Sequence, residues 1–325
     1  MLSLFRKNLL INYLLLLPYA LFLHLGVWLR RIPVQENPSN WVFNQFMGKL
    51  QMSYELQTIL ATILIAIIAI LLSNLSVKYR LLPNGQLFGG IFFILFCGLH
   101  SSSLSLTASL LACFFFVIAL EQIMNIYNQK TSPLRLFNFG FFVGMATLFY
   151  VPYYVYLFLC IIGITILKGF SLKEFFQIIV GFLTVFFLFC TAAFVGDFLD
   201  IFYSQQIQSY FSPYLFSMSY GKNGLIVMGI LSLVFLASFI SLNLFQVKKT
   251  ILIQKYFDLI FWTVFVSFLS LLFLRITEIN HIHLFILPLS ILMGLMISKI
   301  KNQLMAETIH LTLIIFALFL QFQNW

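Results

Sequence analysis

Charge is what this sequence has least of. Lysine, arginine, aspartate and glutamate together make up 8% of its 325 residues, and only nine residues are acidic. So few charged groups cannot cover the surface of a soluble protein of this size. No polar stretch exceeds about 30 residues, too short for a separate water-soluble fold. The solvent must therefore be largely lipid, and residues 1–325 read as a single integral membrane domain.

Other absences narrow the chemistry. The four cysteines, Cys97, Cys113, Cys160 and Cys190, all lie in apolar runs and form no Cys-x-x-Cys pair. Neither a zinc site nor a disulfide frame is indicated, and small buried apolar residues are the plainer reading. There is no Gly-x-x-x-x-Gly-Lys for a nucleotide phosphate, no Gly-x-Ser-x-Gly and no His-Glu-x-x-His. Mid-helix charges, the mark of ion-coupled transport, are missing from most apolar runs. No cofactor is expected. The net charge of +9 does not point to nucleic acid, because the basic residues stand singly or in pairs between apolar runs.

What the chain does have is hydrophobicity: 62% of residues are hydrophobic, with 41 Phe and 14 Tyr. Taking about 20 residues per crossing, apolar runs predict helices at 8–29, 57–75, 84–99, 104–125, 136–150, 151–167, 174–196, 223–246, 256–275, 282–298 and 308–322. The fold class is all-α, a polytopic transmembrane helical bundle of about 11 helices. Arg6 and Lys7 precede the first run, and Arg30-Arg31-Ile-Pro follows it in place of a small-residue cleavage site. That predicts a retained first helix.

The 136–167 stretch decides the topology. With the N-terminus in the cytoplasm and two helices there, 13 basic residues fall inside: Arg6, Lys7, Lys78, Arg80, Lys130, Arg135, Lys168, Lys173, Lys248, Lys249, Lys255, Lys299 and Lys301. Five fall outside: Arg30, Arg31, Lys49, Lys222 and Arg275. A single helix would move the last five inside lysines outside, against the positive-inside rule. The expected location is a bacterial inner (cytoplasmic) membrane, multi-pass, with membrane lipids as partners.

Two outer segments do not cross. Within Arg30–Leu56, Ser39 or Asn40 is placed to cap a helix over about 41–51. Val42, Phe43, Phe46, Met47 and Leu50 share one face, which predicts an interfacial helix with Trp41 at headgroup level. The outer loop at about 197–223 mixes Asp197, Asp200 and glutamines with tyrosines, and reads as a lid or re-entrant rim.

The candidate site residues gather on that outer face. Arg275, Glu278, His281 and His283 fall within nine residues, in a short turn between two long apolar runs. Arg30 and Arg31 either snorkel to lipid phosphates or grip a lipid-linked phosphate. Glu36 either pairs with them or acts as a base. His100 with Ser101, Ser102 and Ser103 belongs to the same face. His281 and His283, with Asp197 and Asp200, have donor types suited to a metal, but hydrogen bonding to a polar headgroup is the more ordinary role. Pairing of Glu278 with Arg275 is the structural alternative to a site. The site reading expects Arg275 and at least one of His281 and His283 to face a shared outward-open cavity with Arg30 or Glu36.

Leu136-Phe-Asn-Phe-Gly140-Phe-Phe-Val-Gly144-Met-Ala-Thr-Leu-Phe-Tyr150 resembles the Gly-rich helix of GT-C glycosyltransferases. His283-Leu-Phe-Ile-Leu-Pro288-Leu-Ser is similar to their late turn and Pro-containing helix. Most of the chain also resembles an uncharacterised family of polytopic inner-membrane proteins from Bacteroidota, on Phe5-Arg-Lys-Asn-Leu-Leu-Ile-Asn-Tyr13 and the Gly140–Tyr150 stretch. The GT-C resemblance implies transfer of a sugar from a polyprenyl-phosphate donor at the outer face. Arg275, Arg30 and Arg31 would hold phosphate, Glu36 would deprotonate the acceptor, and His281 or Glu278 would bind sugar hydroxyls. The first outer loop departs from the family's early acidic pair: it has Glu36 alone and no Asp-x-Asp. The alternative reading is a non-catalytic membrane subunit of a secretion, polymer-export or motility complex, with other envelope membrane proteins as partners. A lipid or polymer transporter is the third.

Overall fold

The computed structural model describes residues 2–30, 39–127, 129, 132–211, 217–218, 222–246, 250–272, 276–277 and 279–322. In chain order its main helices are α1 (Leu10–Leu23), α2 (Trp41–Leu50), α3 (Tyr54–Lys78), α4 (Phe88–Gly98), α5 (Ala108–Met124), α6 (Pro133–Phe149) and α7 (Val151–Leu167). They continue as α8 (Leu172–Val195), α9 (Lys222–Gln246), α10 (Ile251–Leu272), α11 (His283–Lys299) and α12 (Gln303–Phe322). The first six residues of α7 are a tight 3-10 turn, Val151–Tyr156. The one extended pairing among the described residues is a two-residue parallel bridge, Ser217–Met218 with Ile276–Thr277.

Among the described residues, each apolar run predicted from the sequence contains a helix. Tyr54–Lys78, Leu172–Val195, Ile251–Ser270 and Gln303–Phe322 are long and apolar enough to cross a membrane. The chain is a membrane protein. The shorter apolar helices have a physical reason. Helix α4 is hydrophobic all round and buries every one of its residues, as a core helix does. Helix α11 is buried from His283 through Leu295. The two pack backbone to backbone: a Cβ added at Gly294 would stand 3.1 Å from the Phe88 carbonyl carbon. On the opposite side of α4, a Cβ at Gly90 would stand 2.4 Å from the Ala69 carbonyl oxygen of α3. Small residues are what let helices approach closely in lipid, where hydrophobicity alone gives no drive between them.

The 136–167 stretch is two antiparallel helices. Near the start of α6, Arg135 Nη1 donates to Gln122 Oε1 at the end of α5. Tyr150, at the far end of α6, meets His281 just before α11. Helix α7 then returns, so that Gly163 packs on Ile123 and Leu259, near the ends of α5 and the start of α10. Pro152 sits in the first turn of α7, where its missing N–H costs nothing.

One end of the bundle holds an ionic and aromatic cluster. Lys78 donates to Glu121 at 2.7 Å, Tyr79 OH donates to the Glu121 carbonyl, and Lys255 stands 5.3 Å over the Tyr127 ring. Leu87 N donates to Phe5 O here, so the N-terminal residues belong to this end. Lys168 pairs with Glu174. The opposite end collects the chain's histidines, except His310, which bonds Tyr19 inside the bundle.

A proline inside α11 organises the interior near that second end. Pro288 has no N–H to give to the Leu284 carbonyl four residues back. That carbonyl accepts instead from Tyr156 OH at 3.1 Å and Ser267 Oγ at 3.0 Å. In a bilayer such a group needs a partner inside the protein, and helices α7 and α10 supply it.

Candidate functional site

Tyr150 is the hub of the histidine-rich end. It is buried where α6 stops, and its hydroxyl stands 3.2 Å from His281 Nδ1. His281 Nε2 stands 2.7 Å from Ser270 Oγ, whose own hydrogen goes to the Ser267 carbonyl at 2.5 Å. The proton order follows. Ser270 is committed as a donor, so it accepts from His281 Nε2–H, and His281 Nδ1 accepts from Tyr150. Both ring nitrogens are thereby used. Burial, helped by nearby His283, pushes the His281 pKa down to about 3, so the ring stays neutral.

The Tyr150 ring also meets Tyr210 edge-on, with centroids 6.2 Å apart. Tyr210 OH donates to Asn40 Oδ1 at 2.7 Å. Of the two expected caps for α2, Ser39 or Asn40, it is Asn40 that occupies the position. Its side chain makes no capping bond there, because its amide oxygen is taken by Tyr210. The capping is done from outside by Gln206. Its Oε1 accepts from Val42 N at 2.9 Å, and its Nε2 donates to the Leu148 carbonyl at 2.6 Å. One amide thus satisfies an orphan donor at the start of α2 and an orphan acceptor at the end of α6. Gln206 reaches both because Tyr203–Gln208 is a wide π turn.

Helix α2 occupies Trp41–Leu50, and its apolar face is divided differently from the single stripe expected. Phe43 is buried and Trp41 and Val42 pack against Leu148, Val185 and Phe202, whereas Phe46 and Leu50 stay open. A groove of about 620 Å³ runs between α2 and residues 198–205. Trp41, Phe46, Phe198 and Ile201 form its apolar wall, and Gln45, Lys49 and Gln205 its polar lining.

The predicted site residues fare unequally. His281 and His283 begin the turn into α11 as expected, but they are 1% and 0% exposed. His283 Nε2 donates to the Ser103 carbonyl at 3.0 Å. Neither ring opens to an outward cavity, because the turn folds inward over Tyr150 and the 101–104 turn. His281 has no nitrogen left for a headgroup or a sugar hydroxyl. His100 is half-buried on the neighbouring turn, and burial lowers its pKa to about 4. Asp197 is exposed past the end of α8, in the left-handed region at φ 55°, and Asp200 is exposed in the next turn. The aspartates stay outside while the histidines are interior. Among the described residues no group of three or more His, Cys, Asp or Glu could hold a metal ion. Arg31, Glu36, Arg275 and Glu278 lie outside the described residues, as does the Arg30 side chain.

Tyr150, Tyr210, Gln206 and Asn40 do not stand out in the sequence as site residues. The sequence signal beside Tyr150 is Pro152-Tyr-Tyr, where proline cannot continue a helix. No protein family, no curated protein and no solved structure matches the chain.

Proposed function

We propose that this chain is an inner-membrane protein of the GT-C glycosyltransferase kind, acting on a polyprenyl-phosphate-linked sugar at the outer face. In this reading the eleven apolar helices all cross, the N-terminus is cytoplasmic and the Tyr150 end is outside. One observation carries it. Three chain segments that lead into the charge-bearing loops converge on Tyr150: Asn40 follows the Arg30–Glu36 loop, Tyr210 ends the segment begun at Asp197, and His281 follows Arg275 and Glu278. The described ends of those segments thus share one anchor at Tyr150, reached by Asn40 through Tyr210. The α2 groove beside it, apolar with a lysine, suits entry of a lipid-borne substrate from the side.

The chemistry assigned to the loops is a displacement at the sugar's anomeric carbon. Glu36 takes the proton from an acceptor hydroxyl, the acceptor oxygen bonds to the anomeric carbon, and the bond to the donor phosphate breaks. Arg30, Arg31 and Arg275 hold the departing phosphate by charge-assisted hydrogen bonds. His281 is a positioning residue here.

The test is transfer of labelled sugar from polyprenyl-phosphate donors by the purified chain in proteoliposomes. Wild type should release polyprenyl phosphate, and Glu36→Gln and Arg275→Ala should abolish release while inserting normally. Full activity of both variants would overturn the assignment. A wild type that is inactive alone but recovered with a stoichiometric membrane partner would favour the envelope-subunit reading.

A further inference from the structure

At the lysine-bearing end, α6 and α8 part to leave a wedge that the site above does not use. The cause lies at their crossing. A Cβ on Gly140 would stand 2.0 Å from the Ile178 carbonyl oxygen, and one on Gly181 would stand 2.2 Å from the Phe137 carbonyl oxygen. The backbones touch there, as small-residue crossings allow. Contact continues past the crossing, where a Cβ on Gly144 would stand 3.0 Å from the Phe182 carbonyl oxygen, so the opening lies toward the helix starts. Toward the starts of both helices the gap is about 540 Å³. Its walls are Leu134 and Phe137 on one side and Phe176 and Val180 on the other, with Leu134 68% and Phe176 61% exposed.

The wedge has a polar end. Lys173 and Gln177 line it one turn apart on α8. The nearby Lys168 is neutralised by Glu174, whereas no ion pair engages Lys173 among the described residues. Gln177 Oε1 is buried without a hydrogen-bond partner. An apolar slot ending on an unpaired cation matches an anionic amphiphile.

We infer that the α6–α8 wedge is a binding site for an anionic phospholipid, with phosphatidylglycerol as the probe. One acyl chain fills the slot between Phe137 and Phe176, and the phosphate meets Lys173. This end is the more basic one in the charge count, so the lipid would sit in the leaflet that attracts lysine. The inference does not depend on the proposed catalysis.

The test uses the full chain in phosphatidylcholine vesicles with or without phosphatidylglycerol, followed by native mass spectrometry of retained lipid. Wild type should keep one phosphatidylglycerol in preference to phosphatidylcholine. Lys173→Gln should weaken that preference about five-fold, the factor for one interfacial lysine. Val180→Trp, at a 54% exposed position, should fill the slot and remove retention without unfolding the chain. Equal retention of the two lipids by wild type, or unchanged retention in both variants, would overturn the site.

Discussion

At the scale of single residues, several buried polar groups draw their partners from neighbouring helices. The Leu284 carbonyl shows the logic: Pro288 withdraws its usual donor, and Tyr156 and Ser267 replace it. Removing both replacements, Tyr156→Phe with Ser267→Ala, leaves a bare buried carbonyl and should cost about 1–3 kcal/mol. Adding Pro288→Ala returns a backbone N–H and should recover part of that loss, so the effects will not add. Thermal unfolding of wild type, the double variant, Pro288→Ala alone and the triple variant in one detergent measures it. His281 supplies a pH prediction. Its folded pKa of about 3 lies below the ordinary value of about 6.5. The folded state therefore binds the proton less readily than the unfolded state does. Stability should be complete above about pH 6.5 and fall as the pH drops toward 3, by about 1.4 kcal/mol per unit within that window. Unfolding of His281→Phe should show a shallower pH slope between those limits; an unchanged slope would remove His281 as the cause.

At the scale of elements, the helices were legible because lipid demands long apolar runs and internally satisfied backbones. Even the division at Tyr150 could be read from the distribution of lysines beyond it. The site was less legible. Sequence spacing placed His281 and His283 beside charged neighbours and suggested exposure, but it carries no information on which side a short turn folds toward. Gln206 was unreadable for a related reason: its role comes from a π turn that brings it to two helix ends 164 and 58 residues away in the chain. The α6–α8 contact yields a paired prediction. Gly140→Ala places a methyl group against the Ile178 carbonyl and should lower stability by at least about 1–3 kcal/mol. Gly48→Ala, in α2 with nothing within 4 Å, should instead raise stability slightly, by up to about 1 kcal/mol through helix propensity. Chemical denaturation of the two variants side by side separates close packing from propensity.

At the scale of the whole molecule, the proposed topology turns on the antiparallel return of α7. Reporter fusions after Lys130 and Lys249 should both read cytoplasmic, and an outside signal at Lys249 would refute the topology proposed for the chain. The proline in α11 also bears on how the molecule is made. This helix is enclosed on all sides, and its broken backbone bond is answered only by α7 and α10. Alone in lipid it would carry an unanswered carbonyl. Both answering helices precede it in the chain, so they are already synthesised when α11 leaves the ribosome. Helix α11 is thus a keystone, set into a gap whose sides are already standing. Chains truncated after α10 should insert yet remain protease-sensitive, and protection should arise only when synthesis passes Lys299.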